Sequence, residues 1–259
     1  MRIRCLVLAA IAACAMLSTQ STASVVVSTT RFVHEGDARE VVVRMTNKRT
    51  GPALVEAWVE RADVAAQGQA PAFVPTPPLF RIESGRGQVV RLQRTQAPLP
   101  ADRETLFWLH MLDVPPNPVG PADGRVKIAL RSRLKVFHRP AGLPGSAAQA
   151  PDRLRWAFQA SASGTPALRI DNPTPFHVTI ARIGEDALAM RGEMVAPFGQ
   201  LVLPLDGASA ATDAATTLPS DVAHARRTAW QSGKPLRFES INDAGGADVR
   251  TARLALATP

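Results

Sequence analysis

The chain has 259 residues, 46% of them hydrophobic, and 30 Lys and Arg against 22 Asp and Glu give a formal net charge of +8. That length suits one large or two ordinary domains, and no apolar run reaches the roughly 20 residues of a membrane-spanning helix, so stable membrane insertion is not expected. The positive charge raises nucleic acid as a ligand, but aromatics are 5%, Tyr is absent and Arg is dispersed outside residues 125–140, so base stacking has no surface and nucleic acid is set aside.

The first residues, MRIRCLVLAAIAACAMLSTQSTAS, put Arg2 and Arg4 before an apolar stretch from Cys5 to Leu17 and small residues at Ser21, Thr22 and Ala23. This predicts a secretory signal over residues 1–23, cut after Ala23. A lipoprotein signal at Ile11-Ala12-Ala13-Cys14 is the rival reading, and the apolar stretch before Cys14 is short for it. Both cysteines lie in this segment, so the chain from Ser24 carries no thiol into an oxidising compartment and depends on core packing. It keeps 28 basic and 22 acidic residues, a net of +6.

From Ser24 the pattern is short strands between turn residues. Residues 25–33 predict a first strand and 39–47 a second, with Glu35-Gly36-Asp37 as the turn. Residues 53–62 alternate, with Leu54, Glu56, Trp58 and Glu60 on one side and Val55, Ala57, Val59 and Arg61 on the other. Residues 63–78 read as a loop, 79–83 and 88–95 as a strand pair joined by a hairpin turn at Ser84-Gly85-Arg86-Gly87, and 103–114 as a further strand. Then comes RVKIALRSRLKVFHRP, Arg125 to Pro140, a long strand with Val126, Ile128, Leu130, Leu134 and Val136 on one face and only Ser132 interrupting. It exceeds the usual strand length, so part of its edge is expected to be free to recruit another strand.

About seven strands at intervals near ten residues predict an immunoglobulin-like sandwich over residues 24–140. Residues 141–150 read as a linker, and a second all-β unit is expected over 151–259 with strands in RLRWAFQAS, ALRIDN, HVTIARIGE, GQLVLPL, PLRFESIND and DVRTARLALA. Residues 206–233, rich in Ala, Thr, Asp and Ser, read as a mobile insertion.

No catalytic constellation stands out. His34, His110, His138, His177 and His224 lack metal-ligand spacing, no Gly-x-Ser-x-Gly elbow is present, and Gly85-Arg86-Gly87 lacks the remaining glycine and helix of a nucleotide site. The chain is therefore read as no enzyme, without metal or cofactor. Arg31 and Lys135 are different, because each sits on a largely apolar strand, where a cation is costly to desolvate unless an anion meets it. The bland alternative is that both face solvent. Alternation places Lys135 opposite Val126, Ile128 and Leu130, so one strand presents both features only through a twist, a bulge or a position at a cleft corner.

Seven motifs carry a resemblance: TTRFV (29–33), TPPLFRIESG (76–85), DRETLFWL (102–109), RLKVFHRP (133–140), NPTPFH (172–177), APFG (196–199) and INDAGG (241–246). In this order they resemble the periplasmic chaperones of the chaperone-usher pathway, the PapD-like family. The resemblance implies an all-β chain of two immunoglobulin-like domains in a boomerang arrangement with a cleft between them. It implies that Arg31 and Lys135 anchor the C-terminal carboxylate of a pilus subunit. It also implies that Val126, Ile128 and Leu130 of the donor strand fill the groove of an incomplete subunit sandwich, and that Glu104, Arg139 and Asp243 form a structural ionic cluster between the domains. The short segment from Pro115 to Gly124 resembles the branch serving rod-like pili. His110 stands where the family usually has Asn, and the 206–233 insertion looks longer than common.

The expected function is a periplasmic chaperone that stabilises pilus subunits by donor-strand complementation and delivers them to an outer-membrane usher, without nucleotide. An exported immunoglobulin-like adhesion or structural module is the alternative, in which Arg31 and Lys135 are dispensable. A sandwich-scaffold hydrolase, which needs titratable groups gathered in one pocket, finds no support in the motifs.

Overall fold

The computed structural model describes residues 25–63, 70–117, 127–160, 166–206, 220–231 and 234–255, so the signal-peptide reading and Val126 lie outside the described residues. In the first domain the strands are β1 (Val25–Val27), β2 (Arg31–Glu35), β3 (Glu40–Asn47), β4 (Ala53–Arg61), β5 (Phe73–Thr76), β6 (Leu79–Ile82), β7 (Gly87–Arg94), β8 (Thr105–Val114) and β9 (Leu130–Arg139). They form two sheets, β1-β3-β7-β5 and β2-β9-β8-β4-β6, packed face to face. The period-two alternation read from the sequence gives the core: Val43, Val55, Phe73, Val90, Leu92, Phe107, Leu109 and Val136 are fully enclosed between the sheets.

Pairing across the two sheets departs from the sequence reading in three places. Residues 25–33 are not one strand: β1 pairs with β3, while β2 pairs in parallel with β9 in the other sheet. The bend falls at Ser28-Thr29-Thr30, where the Thr29 hydroxyl accepts a 3.3 Å bond from the Arg31 N–H, a local turn bond that competes with the ladder. Within the expected loop 63–78, Phe73 is buried and starts β5, an edge strand that tolerates Pro75 because its missing N–H leaves no central bond unmade. The turn at Ser84–Gly87 exists, with Gly85 at φ +69°, but β6 pairs with β4 and β7 with β3 and β5, so the turn joins two sheets and makes no hairpin.

In the second domain β10 (Arg155–Ala160), β11 (Pro166–Asp171), β12 (Val178–Ile183), β13 (Met190–Arg191), β14 (Met194–Val195) and β15 (Gln200–Pro204) precede helix α1 (Ser220–Gln231), β16 (Leu236–Ile241), β17 (Ala247–Ala252) and β18 (Leu254–Ala255). The sheets are β15-β11-β10-β18 and β13-β12-β16-β17, with β14 also on β12. They enclose Trp156, Leu168, Ile170, Phe176, Ile180, Ile183, Leu205 and Phe238, and Leu143, Ala147 and Ala150 pack on the same core.

Where the sequence predicts a mobile insertion, α1 packs on this second core. Ala223, Arg226 and Trp230 fall on one helical face and are buried, and the Arg226 guanidinium donates to the carbonyls of Leu188 (3.0 Å), Ala189 (2.9 Å) and Leu205. Few apolar residues mark the helix, because an arginine takes the central buried position. Gly184 lies beneath Trp230 at φ +79°, and a Cβ there would stand 2.9 Å from Trp230 Cζ2. Gly184→Ala is expected to cost about 1–3 kcal/mol, read as a lower urea midpoint with altered Trp fluorescence.

Candidate functional site

Three structural pieces, drawn from five separate segments of the sequence, form the joint between the domains. Asn172 starts it: its side-chain amide donates to the carbonyls of Phe176 (2.7 Å) and Ala196 (2.9 Å), and its carbonyl oxygen accepts from the Thr174 N–H (3.0 Å) and hydroxyl (2.7 Å). This closed loop presents Pro175, Phe176 and His177 to the first domain, where the Pro175 carbonyl accepts from the Glu104 N–H at 2.9 Å. In the second piece Asn242 closes the turn of INDAGG by accepting from the Gly246 N–H at 2.9 Å. Gly245, at φ +88°, passes so close to Thr30 that an added Cβ would lie 3.1 Å from its hydroxyl. The third is the β2–β9 ladder, in which Arg31 is the register partner of Lys135 and Glu35 that of Arg139.

These elements assemble Glu104, Arg139 and Asp243. Arg139 donates to Glu104 Oε1 at 2.7 Å, to Asp243 Oδ2 at 2.9 Å and to Glu35 Oε1 at 2.9 Å. Glu104, with a side chain only 2% exposed, also accepts the His177 backbone N–H at 2.7 Å. Burial alone would raise the Glu104 carboxyl, but the bonds from His177 and the charge of Arg139 outweigh it and hold it below its ordinary value. In the sequence Glu35 stands in a predicted turn and His177 lacks metal-ligand spacing. Their place in the cluster shows only in the tertiary pairing, because neither position has a partner at local spacing.

Arg31 and Lys135 come together on the face of β2 and β9 that meets the second domain. Arg31 is 8% exposed, stacks over Phe137 with its guanidinium carbon 5.7 Å from the ring centre, and donates to the Ile241 carbonyl at 3.3 Å. The Lys135 ammonium donates to the Thr179 hydroxyl at 3.3 Å and lies 5.9 Å from the Trp108 ring centre. Among the described residues neither cation pairs with a carboxylate within ion-pair distance. Burial first, then repulsion from Arg31 and Arg133, lowers the Lys135 ammonium to about 8. Beside them a cleft of about 260 Å³ opens between the domains, lined by Arg31, Glu104 and Phe137 from one and His177, Ile241 and Asp243 from the other. The arrangement can hold an anion: two cations are set side by side and partly stripped of water, neither is in contact with a carboxylate, and the nearby Glu104 and Asp243 offset only part of the charge at Arg31.

The strand leading to Lys135 is regular over Leu130–Arg139 and shorter than the Arg125–Pro140 reading. The ladder with β8 stops at the pair Asp113–Leu130, because Pro115 and Pro116 follow β8 and a proline cannot donate. Ile128 and Leu130 are 64% and 48% exposed. On its other side β9 pairs with β2 over Lys135–Arg139, and among the described residues no strand lies beside Leu130–Leu134 there. The Lys135 N–H donates to Thr30 and the Arg139 carbonyl accepts from Gly36, so odd-numbered residues of β9 point their peptide groups toward the β2 side. The open groups are therefore those of Arg131 and Arg133. Alternation runs through β9 without a bulge, and Lys135 meets the second domain because it lies at the cleft corner, where the free edge ends.

The chain matches the model described as pili and flagellar-assembly chaperone, PapD N-terminal domain, over residues 24–144, and that described as pili assembly chaperone PapD, C-terminal domain, over residues 149–252. YadV of Escherichia coli K12, called a "probable fimbrial chaperone", is 34% identical over 251 residues, 93% of this chain and 94% of its own. The chaperone protein FimB/FhaD of Bordetella pertussis is 35% identical over 209 residues, 76% and 83% of the two chains. The crystal structure of the YadV chaperone has a TM-score of 0.67 to this one at 32% identity, covering 90% of this chain and 100% of that one. No described helix is long and apolar enough to cross a membrane. Two matched domains, relatives of the same length and one shared architecture place the chain in the PapD family of pili assembly chaperones.

Proposed function

We propose that the chain is a non-enzymatic periplasmic chaperone that captures pilus subunits by lending them a strand and passes them to an outer-membrane usher. In this reading residues 24–140 form the donor domain, 141–150 the linker and 151–259 the second domain, after removal of the signal over 1–23. Arg31 and Lys135 hold the subunit's C-terminal carboxylate, the strand through Val126, Ile128 and Leu130 fills its open groove, and Glu104, Arg139 and Asp243 fix the angle between the domains. The observation that carries the reading is the continuity of two features on β9: a free edge over Leu130–Leu134 that ends at Lys135 beside Arg31. An extended chain pinned by its carboxylate at the cleft is thereby set in register along that edge. No nucleotide is required, because burying the subunit's own apolar groove supplies the free energy of capture.

The parity of the edge gives a direct test. Arg133→Pro removes an N–H that faces the open side and leaves the ladder with β8 intact, whereas Arg133→Ala removes only the side chain. Coexpressed with subunits encoded beside its gene, the wild type and Arg133→Ala are expected to be recovered from the periplasm as stoichiometric complexes, and Arg133→Pro as free protein. Equal recovery of a complex with both variants would rule out strand addition at this edge.

A further inference from the structure

The free stretch Leu130–Leu134 is held by a neighbour strand on one side only, yet the two residues that carry its open peptide groups are both clamped by side chains on the outer face of the sheet. The Arg133 guanidinium carbon lies 4.0 Å from the Trp108 ring centre. Arg131 stacks over Trp58 at 5.0 Å and donates from its guanidinium to His110 Nδ1 at 3.0–3.2 Å. His110, 3% exposed, lies parallel to Trp58 with ring centres 5.0 Å apart and 11° between planes. Since Nδ1 accepts from Arg131, the proton of the neutral ring sits on Nε2, which lies 3.0 Å from Glu60 Oε2 without the alignment of a full hydrogen bond. Trp58 Nε1 closes the ring by donating to Glu60 Oε1 at 2.8 Å.

We propose that His110 is a positioning residue of the donor edge: its neutral imidazole clamps Arg131 in the extended line a subunit strand must meet, and its protonation in mild acid releases the clamp and slows capture. The inference rests on the strand-donation reading above. Pre-ordering matters because a strand held on one side must otherwise be straightened as the partner arrives, at an entropic cost to association. A protonated Nδ1 can no longer accept from Arg131 and repels it. The charged groups facing His110 are Glu60 from β4 and Arg131 and Arg133 from β9. Burial sets the direction of its titration, Glu60 pulls against it and the two arginines reinforce it, so the ring protonates below the ordinary imidazole value.

The test uses the mature protein in two measurements. In the free protein, Trp fluorescence is followed from pH 7.5 to 5, because an imidazolium stacked on Trp58 quenches it; a titration is expected in wild type and not in His110→Asn. In the second, a subunit encoded beside the chaperone gene is unfolded in urea and diluted into chaperone, and the rate of complex formation is read at both pH values. Wild type is expected to slow by about five- to tenfold at the lower pH, the worth of about one net hydrogen bond. His110→Asn, which keeps a neutral acceptor, and Arg131→Leu, which removes the clamped group, should show no such slowing, with Arg131→Leu slow at both values. Identical pH profiles in wild type and His110→Asn would overturn the proposal and leave strand donation standing. Absence of any complex at pH 7.5 would bring down both.

Discussion

Replacing Lys135 by Met is expected to weaken subunit binding by about a hundredfold or more while leaving the free chaperone as stable as wild type, or more so. The asymmetry follows from the site. In the free protein the ammonium is partly desolvated beside Arg31 and Arg133 with no carboxylate to offset it, so removing the charge relieves repulsion, and the stem is replaced by one of similar length. In the complex the same ammonium would make a charge-assisted bond, and its loss leaves a carboxylate short of a partner, a cost of about 2–3 kcal/mol. Arg31→Ala should also weaken the complex, but where Lys135→Met gives up one hydroxyl contact to Thr179, Arg31→Ala removes both the bond to Ile241 and the stacking on Phe137 and so loosens the joint more. With both cations on one carboxylate, as proposed, the double substitution is expected to cost less than the sum of the singles.

The pH dependence of the same site has opposite signs for binding and for folding. Lys135 loses its proton near pH 8 in the free chaperone, whereas the ordinary value is 10.5. Between those values the unfolded chain holds more protons than the folded one, so this group makes folding more favourable as pH rises. A bound carboxylate raises the ammonium again, so capture takes up a proton above pH 8 and the affinity should fall with pH, by up to about tenfold per unit. Binding isotherms from pH 7 to 10 with Lys135→Arg as the non-titrating control measure this directly, and a flat wild-type profile would exclude Lys135 from the anchor.

The second large effect is expected at Glu104. Glu104→Ala strands Arg139, which is 14% exposed, against two acids that are 64% and 47% exposed, and frees the His177 N–H. It should lower stability by about 3–5 kcal/mol in urea unfolding and broaden the distribution of interdomain angles in small-angle scattering. Glu35→Ala, on the solvent side of the same arginine, should cost about 0–1 kcal/mol. The carboxyl of Glu104 is held below its ordinary value of 4.5, so its contribution is complete above that pH and is lost as pH falls through the folded value. The stability gap between wild type and Glu104→Gln should therefore close in acid. A gap that persists unchanged at pH 3 would place the stabilisation in packing and not in charge.

Most strands of this protein could be read from alternation, because a half-buried strand writes its two environments directly into neighbouring residues: Leu54, Glu56 and Glu60 are exposed along β4 where Ala53, Val55 and Ala57 are buried. The same rule singled out β9 and its apolar face. What alternation does not encode is the partner. Residues 25–33 look continuous, yet a local bond at Thr29 sends them into two sheets; Leu79–Ile82 and Gly87–Arg94 look like a hairpin, yet they pair in opposite sheets. The sequence pattern does not show helix α1, because an arginine bonded to three carbonyls occupies the centre of its buried face and makes the segment read as polar.

The site divides in the same way. The sequence, through the motifs that resemble the family, singled out Arg31 and Lys135 as one pair and Glu104, Arg139 and Asp243 as a separate ionic cluster, and its alternation showed that the strand before Pro140 is kept apolar on one face. Only the tertiary structure decided how they combine. Five motifs from both domains fold into a single joint; Glu35 and His177 complete its charges; the open peptide groups belong to Arg131 and Arg133; and Trp58, Glu60 and His110 brace that edge from strands distant in sequence. The physical reason is the range of the forces involved. Side-chain polarity is set residue by residue against the nearest boundary of water and core, so it is local and legible. Hydrogen-bond partners and ion pairs depend on which strands lie side by side, and that is settled by the packing of the whole chain.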